Sequence, residues 1–256
     1  FTNTAFGDVM QGAMNKLEAI YNYPVEIEFT ANVTASGEFR VNLLQCRPLQ
    51  TKGEVTKVEV PEDLKPDGVL FASQGHFMGG SISRAIRRVI YVDPEGYTKL
   101  PLREKYDVAR VIGKLNKLLK GREAIPTMLL GPGRWGTTTP SLGVPVGFSE
   151  INHMAVLGEI AYAHGNLMPE LSFGTHFFQD LVETDIFYLA LFPDSPGVHF
   201  HPGLFERFRN DIDGLVPEWA KYGAVVRVYD SGDTPFRIVA DIISQRLVCF
   251  LDTGAR

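Results

Sequence analysis

Glu26 and Glu28 stand two apart in "VEIEF", and Gln45 and Arg47 stand two apart in "LLQCRP". Side chains two apart in a strand share a face, so each pair projects together if both stretches are strands. The intervening "TASGE" carries the turn signal of a β-hairpin. If the two polar faces coincide, one surface offers carboxylate oxygens, an amide and a guanidinium. Carboxylate and amide oxygens are hard donors suited to Mg²⁺, and a guanidinium matches phosphate oxygens. Together they describe a place for the metal-bound polyphosphate of a nucleotide. The alternative is a surface hairpin with a cross-strand Glu–Arg pair, which contributes less than ~1 kcal/mol.

Three further stretches carry chemistry-bearing residues. "LLGPGRWGTTTP" runs from an apolar segment into Gly131, Gly133 and Gly136. Such a run lets backbone N–H groups converge on an anion, with Arg134 adding charge and Thr137 to Thr139 adding hydroxyls. No Gly-Lys-Ser/Thr ends it, so it is not a Walker sequence. The alternative is a tight structural turn with Trp135 in the core. In "SFGTHFFQDL", Ser172 is placed to cap a helix whose first turn holds Thr175 and His176. A helix N-terminus favours neutral imidazole, which serves as nucleophile or base. His176 is therefore the candidate catalytic residue, alone or beside Asp180, against a histidine that simply hydrogen-bonds within a helix cap. His199 and His201 in "GVHFHPG" alternate as two metal ligands would, with no third ligand identifiable from spacing. His153 and the acidic run Glu183–Asp185 read as ordinary surface.

Secondary elements must position these groups. "GDVMQGAMNKLEAIYN" places Val9, Met10, Ala13, Leu17 and Ile20 at helical spacing ahead of the hairpin. "LREKYDVARVIGKLNKLL" predicts a strongly amphipathic helix with Val108, Val111, Ile112, Leu115 and Leu119 on one face. Strands are expected at "VLFASQG", "RRVIYVD", "TMLL", "DIFYLALF", "AVVRVYD", "FRIVADI" and "RLVCFLD", while "EINHMAVLGEIAY" is ambiguous between helix and strand. The charged "TKGEVTKVEVPEDLKPDG", with its two prolines, reads as a connector. Strands and helices alternate throughout, which predicts an α/β chain.

The bulk properties narrow the class. With 45% hydrophobic residues, 21% charged and a net charge of -5, the 256-residue chain has a soluble globular profile. Its acidic balance gives no electrostatic footprint for nucleic acid. Apolar runs such as "IFYLALF" are too short to cross a bilayer, so no membrane partner is expected. Cys46 and Cys249 lie far apart in strand-like settings, which fits reduced thiols in a cytoplasmic protein better than a disulfide. The opening "FTNTAFGD" lacks a methionine and reads as part of a longer protein.

"VEIEF" followed by a turn and "LLQCRPLQ" resembles the end of the nucleotide-binding domain of phosphoenolpyruvate synthase and pyruvate phosphate dikinase. Those ATP-grasp domains close with an acidic-x-Glu-hydrophobic strand and a Leu-Gln-x-Arg-Pro strand. The resemblance implies that Glu28 and Gln45 are Mg²⁺–ATP ligands, that Arg47 contacts phosphate, and that Glu26 fills the upstream acidic position. The family's upstream lysine, arginines and glycine-rich loop would precede Phe1, so this chain alone is expected to bind ATP poorly and not to turn over. The family's Thr-Ser-His-Ala phosphohistidine setting, which follows a Gly-Gly turn, has no counterpart after Gly79-Gly80, and His76 lies upstream of them. "GPGRWG" and "SFGTHFFQ" instead resemble the C-terminal region of phosphoenolpyruvate-synthase-like proteins, with His176 as the substitute carrier. The expected fold is thus α/β, with the C-terminal part of an ATP-grasp domain over 1–53, a linker over 54–68 and a mixed α/β domain over 69–256. The implied activity is pyruvate, water dikinase-like phosphotransfer, from ATP to pyruvate or another small acceptor. A non-catalytic nucleotide-binding or regulatory module of the same family is the alternative, and a homodimer is left open.

Overall fold

The computed structural model describes residues 5–22, 25–34, 38–48, 58–161, 171–172 and 175–254. The chain divides into two compact units, Phe1–Thr51 and Lys52–Arg256.

The smaller unit holds α1 (Phe6–Tyr21), β1 (Val25–Val33) and β2 (Phe39–Pro48). The strands pair antiparallel as a hairpin. Its turn is closed by Thr34, whose N–H donates to the Glu38 carbonyl at 2.7 Å and whose hydroxyl accepts from the Glu38 N–H at 3.1 Å. Residues 35–37 of the expected turn lie outside the described residues. Alternation along β1 gives the hairpin one apolar and one polar face. On the apolar side the Phe6 ring of α1 contacts Phe29 and Phe39, at centroid separations of 6.0 and 5.7 Å. The expected lead helix is present, although none of its described residues is buried.

The larger unit contains, in chain order, β3 (Val69–Gln74), β4 (Phe77–Met78), β5 (Ile82–Ile86), β6 (Arg88–Val92), α2 (Pro94–Lys99), α3 (Leu102–Leu118), β7 (Thr127–Pro132), β8 (Arg134–Trp135) and β9 (Gly143–Val144). It continues with β10 (Val156–Ile160), α4 (Thr175–Glu183), β11 (Phe187–Leu191), β12 (His199–Phe200), α5 (Ile212–Leu215), β13 (Val226–Asp230), β14 (Phe236–Asp241) and β15 (Arg246–Leu251). A six-stranded sheet has the order β13-β6-β7-β10-β11-β4. Its four central strands are mutually parallel and its two outer strands antiparallel. A second, antiparallel sheet has the order β12-β3-β15-β14-β5. Successive residues of β7 separate the two cores: Leu129 joins the cluster with Val108, Ile112 and Leu115 of α3, while Met128 and Leu130 join Phe71, Ile238 and Leu247 of the second sheet. The unit is therefore layered as helices, mixed sheet and antiparallel sheet, and the α/β expectation holds at that level.

The five apolar positions expected on the face of α3 are all buried, at 3% exposure or less. The ambiguous "EINHMAVLGEIAY" resolves into β10. Every residue of that strand is buried because neighbours cover both faces, so it lacks the alternation that would have marked it. Of the expected linker over 54–68, residues 54–57 lie outside the described residues. From Val58 onward the segment is docked, with Val58, Val60 and Leu64 packed against Val69, Val239 and Val248. No described helix is long and apolar enough to cross a membrane. Cys249 is buried, which raises its thiol pKa, and Cys46 is half-buried; both are free thiols.

Asp241, only 2% exposed, anchors that docked segment. Its Oδ1 accepts from the Val58 N–H at 3.4 Å and the Ser81 hydroxyl at 3.2 Å, and its Oδ2 accepts from the Ser244 N–H at 2.8 Å. Hydrogen bonds from Ser244 above all, then from Val58 and Ser81, lower its carboxyl to about 2. A depressed carboxyl stabilises the fold fully above its unfolded value and loses that contribution as pH falls toward the folded one. Asp241→Asn should therefore unfold at lower urea concentration than wild type near neutrality, with the gap narrowing between about pH 4 and about pH 2. A gap of constant width over that range would show that the charge is not what holds the segment.

Candidate functional site

The hairpin register brings the four predicted side chains together. Glu26 lies opposite Arg47 and Glu28 opposite Gln45, and directly opposed residues of an antiparallel pair share a face. Strict alternation would then carry the polar face of β2 from Gln45 to Leu43. A bulge between Glu28 and Phe29 prevents this, pairing Phe29 with Leu43 and Thr30 with Asn42. The polar face consequently continues through Thr30 and Asn42, whose side chains are hydrogen-bonded at 3.2 Å. Within the constellation, Arg47 Nε donates to Glu26 Oε1 in an ion pair with side-chain exposures of 28% and 41%. Glu28 and Gln45 are both exposed. The pair Glu28 and Gln45 thus offers hard oxygen donors at the surface, a fit to Mg²⁺ by ligand type. Among the described residues no group of three or more His, Cys, Asp or Glu side chains is placed to hold a metal.

In the larger unit the two glycine-marked motifs meet, and a residue absent from the sequence reading joins them. Glu159 on β10 is fully buried. Its Oε1 accepts from the Trp135 N–H at 2.9 Å and the Ser172 hydroxyl at 2.6 Å. Its Oε2 accepts from the Ser172 N–H at 2.7 Å and the Tyr188 hydroxyl at 2.8 Å. Burial raises the Glu159 carboxyl pKa, and the hydrogen bonds from Ser172, Trp135 and Tyr188 oppose that shift. The Tyr188 phenol is pushed up by burial and by the adjacent carboxylate, so it stays a neutral donor. Four donors on two carboxylate oxygens satisfy a buried acceptor-only group.

This link fixes the "GPGRWG" turn. Trp135 also donates from Nε1 to the Gly158 carbonyl at 3.0 Å, which lays its ring over Gly131. A Cβ at Gly131 would sit 2.7 Å from that ring, and at Gly133, where φ is +62°, it would meet the Leu142 carbonyl oxygen at 2.2 Å. A Cβ at Gly136 would lie 3.3 Å from the Phe177 ring of α4, so the turn and the helix start adjoin. Within the expected anion nest, the Gly133 N–H is engaged inside the protein, as are the two N–H groups that follow it. The N–H groups of Gly133, Arg134 and Trp135 go to the Ile160 carbonyl, the Leu142 carbonyl and Glu159, leaving none of the three for a ligand.

The Ser172 hydroxyl and N–H both serve Glu159, and α4 is described from Thr175. His176 falls in the first turn of α4, with its side chain outside the described part of the structure. His199 places Nε2 3.3 Å from the Val69 carbonyl oxygen, and its ring centroid is 6.3 Å from that of His201. His153 is not ordinary surface: its N–H donates to Asn116 Oδ1 at 3.0 Å and its Nδ1 lies 3.1 Å from the Asn116 carbonyl oxygen. One signal pointed to Glu159, a lone carboxylate inside the apolar run "MAVLGEIAY", since a charge buried there requires partners. No family model, curated protein or solved structure matches this chain.

Glu159→Ala strands four donors and is expected to lower stability by about 3–5 kcal/mol in chemical denaturation. Glu159→Gln, which keeps one acceptor oxygen, should lose less. A loss below about 1 kcal/mol in the alanine variant would mean that the carboxylate is not what joins the two motifs.

Proposed function

We propose that the hairpin is the phosphate-binding end of an ATP site and that the protein is a phosphoenolpyruvate synthase-like, ATP-dependent phosphotransferase. The observation that carries this reading is the register that sets Glu28 opposite Gln45 and Glu26 opposite Arg47 on one polar face. In this reading the hairpin closes an ATP-grasp domain. Glu28 and Gln45 hold Mg²⁺ through oxygen, and Arg47 binds phosphate oxygens through its guanidinium. The metal would supply charge neutralisation to the β- and γ-phosphates as the phosphoryl group moves. The chain's own part is to orient the triphosphate on the two-stranded ribbon, with donors already placed by its register. Pyruvate or another small acceptor would receive the group. A second reading, binding without transfer, is favoured by the lack of a Thr-Ser-His-Ala sequence after Gly79-Gly80.

Calorimetry on the full-length protein tests the binding step that both readings share. Arg47→Ala is expected to weaken Mg²⁺–ATP binding by about tenfold or more. Glu28→Gln should weaken it when Mg²⁺ is present and leave metal-free ATP binding nearly unchanged. Unaltered ATP affinity in Arg47→Ala removes the proposal.

A further inference from the structure

Of the four side chains Glu26, Glu28, Gln45 and Arg47, two are bonded to each other and two are not. Arg47 Nε is held by Glu26 Oε1, while among the described residues Glu28 and Gln45 have no side-chain partner. We infer that the two acidic residues differ in role: Glu28 is the metal-side carboxylate, and Glu26 is a positioning residue that orients the Arg47 guanidinium for phosphate. This inference rests on the proposed ATP site.

The physical basis is the geometry of arginine. Its long side chain is costly to immobilise, and its planar head binds phosphate well only when the plane is correctly turned. A bond to Nε fixes both that plane and the direction of the terminal nitrogens. Glu26 reaches Nε because it is the directly opposed residue, so the backbone ladder itself sets the approach. A carboxylate already engaged by a guanidinium is a poorer ligand for Mg²⁺ than one without a partner. The next row along the same face lies about 7 Å away, two residues further on, and presents Glu28 with Gln45. Metal and guanidinium can thus grip different oxygens of one polyphosphate. A merely decorative ion pair at the surface would leave ligand binding unaffected.

ATP affinity of the full-length Glu26→Ala, Glu26→Gln and Arg47→Ala proteins, with Mg²⁺ and with a chelator, tests this assignment. Glu26→Ala is expected to weaken ATP binding about fivefold in both conditions, with the Mg²⁺ concentration for half-saturation unchanged. Glu26→Gln keeps an acceptor for Nε and should recover most of the loss. Adding Glu26→Ala to Arg47→Ala should cost nothing more, because the arginine it orients is gone. A raised Mg²⁺ requirement without rescue by glutamine would make Glu26 a metal ligand and overturn the inference. Unchanged affinity in Glu26→Ala would reduce the pair to surface decoration and overturn it equally. Arg47→Ala separates the two levels. If it weakens binding while Glu26→Ala does not, only the positioning role falls; if it does not, the ATP site falls with it.

Discussion

A carboxylate that has left water must find donors for all its oxygens, and Glu159 meets that demand by drawing three separate segments onto itself. Trp135 comes from the turn after β7, Ser172 from the approach to α4, and Tyr188 from the neighbouring strand β11. The carboxylate sits near the C-terminal end of a central parallel strand, where the connections of an α/β sheet leave the layer. Covering that edge with a tight glycine turn and a tryptophan ring requires that the turn's N–H groups be satisfied inside. The "GPGRWG" turn is thereby held through the N–H groups of Gly133, Arg134 and Trp135.

The hairpin solves a different problem by different means. Among the described residues of its own unit it packs against α1, and its polar residues are brought together by register. One bulge keeps the polar residues of both strands on the same side, over a length that strict alternation would have broken at Leu43. The ligand-capable pair, Glu28 and Gln45, sits at that bulge. Bulges sharpen local twist and re-aim side chains. The proposed function draws on this small unit, while the larger unit supplies the stable layered body in which the motifs at Trp135 and Ser172 adjoin.

Much of this was readable in the sequence wherever one periodicity dominated. The face of α3 follows from its 3.6-residue repeat, and the shared face of Glu26 and Glu28 from the two-residue repeat of a strand. β10 was opaque because burial on both faces erases alternation. Ser172 looked like a helix cap because serine caps helices, but a buried carboxylate thirteen residues upstream competes for the same hydroxyl. Val58, Val60 and Leu64 read as linker because their neighbours are charged, although their own side chains close a small core against Val239 and Val248. Such long-range pairings leave no local trace. The bulge was equally hidden, since it depends on which residues oppose each other and not on their spacing along one strand.

The proposed ATP site places its metal at Glu28 and Gln45. Substituting Mn²⁺ for Mg²⁺ in the ATP-saturated full-length protein, and following paramagnetic broadening of selectively labelled glutamate and glutamine amides, measures that location directly. Broadening strongest at Glu28 and Gln45, and dependent on ATP, is the predicted result. Sharp signals at both residues while broadening develops elsewhere would contradict it.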